Sequence, residues 1–97
     1  MMHAAVAAPP DKTMFEIYRR PYDGDHRAIY YTEIDDHHRD HEIAKALEGE
    51  TIFNGFIDGS RSQAAKAEIA RILKELDAGA ALDENALRVR LGAYLVD

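Results

Sequence analysis

The strongest constraint on the fold is a run of apolar residues at helical spacing between Ser60 and Gly79. Its members, three or four residues apart, are Ile69, Ile72, Leu73 and Leu76. Residues at this spacing share one face of an α-helix, which can then pack against a core. Ser60 with Gln63 fits a capping box, Arg71 and Glu75 can pair across one turn, and Gly79 supplies a stop. The run therefore predicts a long amphipathic helix.

A β-hairpin is predicted nearer the N-terminus, over residues 14–34. Phe15 and Ile17 alternate with polar or amphipathic residues, and Asp23-Gly24 follows a break in the pattern. Asp-Gly is a favoured pair for a two-residue type I′ turn, because both of its central residues need positive φ. The segment after the turn is rich in β-branched and aromatic residues, which indicates the return strand.

A short helix is predicted over residues 37–48. Asp35 or Asp36 would cap its start, and a glycine follows its end. Ile43 and Leu47 lie one turn apart and are expected to form its buried stripe, with Asp40 and Ala44 on the flank of that stripe. The three histidines of this segment would then face solvent or a partner.

Residues 51–59 are apolar on both sides of Asn54-Gly55. They fit either a very short hairpin around a type I′ turn or one strand with a bulge at Gly55 that pairs with the first hairpin. We favour a third strand, with its aromatic side chains in the core.

The last segment fits two structures. Asp83 could cap a helix, yet residues 87–91 also alternate as a strand would. High helix propensities favour the helix over residues 84–96, forming an αα-hairpin with the preceding helix. Its apolar positions are Leu87, Leu91, Tyr94 and Leu95.

The predicted order ββαβαα places strands early and helices late, which is typical of the α+β class. The N-terminal hairpin and a third short strand would form a small, mostly antiparallel sheet, packed by the short helix and the C-terminal αα-hairpin. Residues 1–12 are expected to be a disordered tail and residues 13–97 a single domain.

Composition excludes several functional classes. The chain has no cysteine, so a disulfide framework, a thiolate nucleophile and a cysteine-ligated metal are excluded. No apolar run approaches the roughly 18 residues of a membrane-spanning helix. We therefore expect a soluble, cytoplasmic protein without a membrane partner.

Charge is concentrated in residues 35–60, which we call the acidic segment. It holds seven acidic and two basic residues, and so accounts for −5 of the net charge of −6. This concentration of negative charge repels the phosphate backbone, so a nucleic-acid partner is not expected. Basic protein surfaces and cations, in contrast, are attracted.

The leading interpretation is a small non-enzymatic protein-interaction or regulatory module that uses the acidic segment for recognition. The partner would be another protein or a second copy of this chain, as in a homodimer. Candidate partner-binding residues are the acidic Asp35, Asp36 and Glu42, the hairpin residues Arg19, Arg20 and Tyr22, and Tyr94 near the C-terminus.

Three histidines in the acidic segment suggest a different function. Imidazole and carboxylate are ligands of divalent metals such as zinc, and His37, His38 and His41, with Asp40 beside them, lie within about one helical turn. The competing interpretation is a solvated helix start. A third possibility is that the carboxylates mimic nucleic acid and inhibit a protein with a basic groove.

Catalytic signatures are absent from the sequence. His26 lies near Asp23 and Asp25 in the sequence, but no nucleophile, base and orienting group form a recognisable triad. Ser60, the candidate nucleophile, is explained by capping. Asp58-Gly59-Ser60 lacks the lysine of a phosphate-binding loop. No catalytic residue is therefore assigned, and an enzyme is not the expected class.

Overall fold

The computed structural model describes residues 12–21, 24–31, 40, 43–45, 47 and 49–96. It confirms the α+β class and the order ββαβαα. The short helix, α1, comprises the helical residues 40, 43–45 and 47. The other elements are β1 (Lys12–Arg19), β2 (His26–Tyr31), β3 (Glu50–Asp58), a 3-10 turn (Gly59–Arg61), α2 (Ser62–Asp77) and α3 (Glu84–Leu91).

The sheet is antiparallel, in the order β2-β1-β3. The predicted hairpin is confirmed, but its connection is longer than a two-residue type I′ turn. The Arg20 N–H donates to the Asp25 carbonyl at 2.9 Å, and the Gly24 N–H donates to the Arg20 carbonyl at 2.8 Å. Four residues therefore form the loop, and Gly24 adopts a φ of 74°, which glycine accommodates without strain.

The third strand is also confirmed, and it contains a register shift at Ile52 rather than at Gly55. Ile17 lies opposite Phe53, whereas its neighbour Tyr18 lies opposite Thr51. Gly55 sits in regular register opposite Phe15, where an added Cβ would lie 3.4 Å from the Phe15 ring. The predicted bulge at Gly55 is therefore wrong, and the irregularity lies three residues earlier in the strand.

Helices α2 and α3 cover one face of the sheet. The central strand contributes Phe15 and Ile17, which are fully buried there. The other members of this core are Phe53, Ile57, Ala65, Ile69, Ile72, Leu76, Leu87 and Leu91. The amphipathic pattern of the long helix therefore identified its buried side correctly.

The start of α2 differs from the predicted capping box. Asp58 accepts from the Ser60 N–H at 3.0 Å and from the Ser60 hydroxyl at 2.9 Å, so it caps the 3-10 turn that precedes the helix. The predicted pair of Arg71 with Glu75 is also wrong. The Arg71 side chain donates to Glu68 at 2.9 Å, and Glu75 accepts from Arg90 of α3.

Helix α3 is shorter than predicted. Asp83 caps it as expected, accepting from the Ala86 N–H at 2.8 Å, but the helix ends at Leu91. Beyond it the backbone pairs with the free side of β3, where the Val96 N–H donates to the Phe56 carbonyl at 2.9 Å. Residues 92–94 therefore form a turn, and residues 94–96 bond to the edge of the sheet instead of continuing the helix.

The orientation of α1 contradicts the predicted buried stripe. Ile43 is 52% exposed and Leu47 is 76% exposed, and Asp40 and Ala44 are exposed beside them. At about 100° per residue, Lys45 lies about 160° around the helix from both aliphatic residues. The lysine therefore faces the sheet, and the apolar residues face outward.

Candidate functional site

Several of the predicted site residues lie outside the described part of the chain. They are His37, His38, His41, Asp35, Asp36, Glu42 and Tyr22. Among the residues that are described, no three metal-ligating side chains lie together. The zinc hypothesis, the nucleic-acid-mimic hypothesis and self-association therefore stay predictions.

The remaining predicted residues do not form one site. Arg19 ends β1 opposite Glu50, whereas Tyr94 packs half-buried against the core at the other end of β3, where its carbonyl accepts from the Asp58 N–H at 2.9 Å. Arg20 is half-buried, and Asp40 is exposed on α1.

A buried carboxylate lies on the sheet face opposite to the α2–α3 core. Glu16, in the middle of β1, is only 6% exposed. It accepts hydrogen bonds from the Tyr31 hydroxyl of β2 and, at 2.7 Å, from the Thr51 hydroxyl of β3. The Lys45 ammonium of α1 lies 3.3 Å from Glu16 Oε2 and donates to Thr51 Oγ1 at 3.1 Å. We call these four residues the Glu16 cluster.

Two opposing effects act on the pKa of Glu16. Burial raises the pKa, because it penalises the charged form, whereas hydrogen bonds from Tyr31, Thr51 and Lys45 and the charge of Lys45 lower it. The lowering effects prevail, so the carboxyl has a pKa below its ordinary value of 4.5. Glu16 is therefore an anion that the surrounding donors stabilise.

The Glu16 cluster holds α1 against the sheet. It joins all three strands to α1 through one carboxylate, and its polar groups are bonded to one another. At the end of the α1 segment, the backbone of Gly49 packs so closely on the Tyr18 ring that an added Cβ would clash with it. The geometry is that of an anchor that positions an element, and we therefore assign it a positioning role.

The outward face of α1, formed by Asp40, Ile43, Ala44 and Leu47, is the candidate functional surface. Isolated exposed aliphatic residues are ordinary, but here two lie one helical turn apart within the acidic segment. The Lys45 side chain is only 22% exposed, because it is turned toward Glu16. One of the two cations of the acidic segment is therefore engaged by a carboxylate from outside that segment.

Two further charged clusters join elements of the fold. Arg90 of α3 bonds to Glu68 at 2.7 Å and to Glu75 at 2.9 Å, and these hydrogen bonds raise its pKa above the ordinary value. His26 pairs through Nδ1 with Asp77 at 2.9 Å, and the same carboxylate accepts the His26 backbone N–H at 2.8 Å. Asp77, the partner of His26 among the described residues, is thus in α2, 51 positions further along the chain.

A cleft of about 220 Å³ lies between β3 and α3. Its charged groups, Glu84 and Arg88, pair with each other at 2.9 Å, and the Arg88 guanidinium lies 5.4 Å from the centre of the Phe53 ring. The arginine is therefore already engaged by a carboxylate and an aromatic ring of the same domain.

Sequence reasoning missed the Glu16 cluster. Glu16 lies between Phe15 and Ile17 in an alternating strand, which normally places the middle residue in solvent. One available signal was Tyr31, whose hydroxyl requires a partner if the return strand is buried.

Comparison of the chain with protein-family models, curated proteins and solved structures finds no match. Within the described residues, no helix combines the length and apolar character needed to cross a membrane. The function is therefore inferred from the geometry of the protein itself.

Proposed function

We propose that the protein is an interaction module that binds another protein through the outward face of α1, aided by the negative charge of the acidic segment. The observation that carries this proposal is the exposure of Ile43 and Leu47 on a helix whose lysine is turned inward. Removing such an aliphatic pair from water is favourable, so a partner would gain free energy by covering it.

The chemistry of the face defines the partner. An apolar pair beside the exposed Asp40, in a segment with a net charge of −5, matches a groove with an apolar floor and lysine or arginine at its rim. Residues i and i+4 of one helix are the usual anchors for such a groove. The partner is therefore expected to be a basic protein, bound more weakly as ionic strength rises.

The test compares three forms of the full chain, immobilised and exposed to a cell extract of the source organism. The double variant Ile43→Ser/Leu47→Ser removes the apolar centre, and Val89→Ser removes an aliphatic side chain that is 82% exposed on α3. We expect a protein that is retained by the wild type and by Val89→Ser but not by the double variant.

The retained protein is then purified, and its affinity is measured by calorimetry at low and high salt. Loss of two central contacts is expected to weaken binding at least about tenfold, because anchor residues typically contribute more than about 1 kcal/mol each. The proposal is rejected if no protein distinguishes the double variant from Val89→Ser, or if the affinity does not depend on salt.

A further inference from the structure

Helix α1 has two faces that compete for the sheet. One carries Ile43 and Leu47, which hydrophobic patterning predicts to be buried, and the other carries Lys45. The second face is the one turned inward. Something other than apolar packing must therefore determine the rotation of α1 about its axis.

The Glu16 cluster supplies that determinant. Glu16 accepts hydrogen bonds from Tyr31 and Thr51 on the two neighbouring strands, so its carboxylate has partners in the sheet besides Lys45. The ammonium then contacts both the carboxylate, at 3.3 Å, and the Thr51 hydroxyl, at 3.1 Å. A buried anion requires a compensating cation, and Lys45 provides one only when its face of α1 is turned inward.

We propose that the ion pair of Glu16 and Lys45 is a conformational switch that selects which face of α1 is presented. With the pair formed, Ile43 and Leu47 face outward. With the pair broken, α1 rotates, the two aliphatic side chains turn toward the sheet, and the outward face is withdrawn. The inference rests on the proposed function only in treating that face as a recognition surface.

The direction in which α1 rotates follows from which of its side chains are more stable in water and which are more stable when buried. Glu16→Gln preserves the size of the side chain and its ability to bond Tyr31 and Thr51, but it removes the negative charge. Lys45 then loses the interaction that offsets its desolvation and is better placed in water. Burial of Ile43 and Leu47 becomes the favoured alternative.

Cysteine labelling measures the rotation directly, because the chain contains no cysteine. Ala44 is exposed on the same face as Ile43 and Leu47, so Ala44→Cys reports on that face and keeps both aliphatic side chains. Ala67 is an exposed alanine on α2, so Ala67→Cys is the matched control. Each is prepared with Glu16 intact and with Glu16→Gln, and its rate of reaction with a soluble aromatic disulfide is recorded.

In the Glu16→Gln background, the labelling rate of Ala44→Cys is expected to fall about tenfold, whereas that of Ala67→Cys changes less than twofold. An unchanged or faster rate at position 44 overturns the proposal. If Glu16→Gln does not fold by circular dichroism, Glu16→Met removes the same negative charge, keeps a side chain of similar length and carries the same prediction. Because no partner is present, this result is independent of whether the proposed function holds.

Discussion

At the scale of single residues, Glu16 departs most from what its position in the sequence implies. A carboxylate in the centre of a sheet loses its hydration, which is costly unless donors replace the water. Here Tyr31, Thr51 and Lys45 replace it, each from a different element. The residue therefore links stability to the placement of α1.

The effect of Glu16 on stability should depend on pH. A carboxyl whose pKa is lower in the folded than in the unfolded protein stabilises the fold above its ordinary value of 4.5, and this contribution is lost as the pH falls through the folded pKa. Hydrogen bonds and nearby arginines also lower the pKa values of Glu68 and Glu75. The wild type is therefore expected to lose stability on acidification, beginning near pH 4.5 and continuing below it.

Glu16→Gln removes one contributor to this dependence. At neutral pH it should lower the free energy of unfolding by about 2 kcal/mol, because a buried charge-assisted network is weakened. Urea denaturation at a series of pH values should also show that the free energy of unfolding falls less steeply on acidification than it does in the wild type. The control Glu84→Gln affects an exposed pair with Arg88 and should cost less than about 0.5 kcal/mol at neutral pH. If the free energy of unfolding of Glu16→Gln fell as steeply on acidification as that of the wild type, Glu16 would not contribute to the pH dependence.

Sequence alone could not identify this residue's role. The alternation of Phe15, Glu16 and Ile17 assigns the glutamate to solvent, and that rule holds when only one face of a sheet is covered. The central strand β1 is buried on both faces at this point. The compensating donors are far away along the chain, so only the tertiary structure brings them together.

At the scale of elements, sequence patterns correctly predicted those helices and strands whose formation depends mainly on residues close together in the chain. The hairpin, the third strand, α2 and the start of α3 follow from alternation, helical spacing and capping. For α1, periodicity correctly groups Ile43 with Leu47 but cannot say which face is turned inward. At residues 92–96 the helical pattern was overridden, because the backbone of this segment bonds to β3.

The cap of α3 provides an element-scale test. Asp83→Ala removes the acceptor of the Ala86 N–H, and should lower the free energy of unfolding by about 1 kcal/mol. Asp83→Ser retains a capping oxygen and should remain close to the wild type. Both values are obtained by urea denaturation. Equal stabilities for Asp83→Ala and the wild type would show that the cap does not contribute.

At the scale of the whole molecule, the two faces of the sheet are covered in different ways. Helices α2 and α3 cover one face with a conventional apolar core, and Arg90 joins them through Glu68 and Glu75. The opposite face carries the Glu16 cluster with α1. Because α1 is held by polar contacts, its apolar residues remain available, and the domain divides into a stabilising side and a proposed recognition side.

Methyl NMR of the full chain tests the central claim, that the outward face of α1 is the recognition surface. The isoleucine, leucine and valine methyl groups are labelled, and the partner retained in the binding experiment is titrated to saturation. The signals of Ile43 and Leu47 are predicted to shift, while that of Val89, which is also exposed to solvent but lies on α3, stays in place. Unchanged Ile43 and Leu47 signals at saturation, or shifts centred on Val89, would contradict the claim.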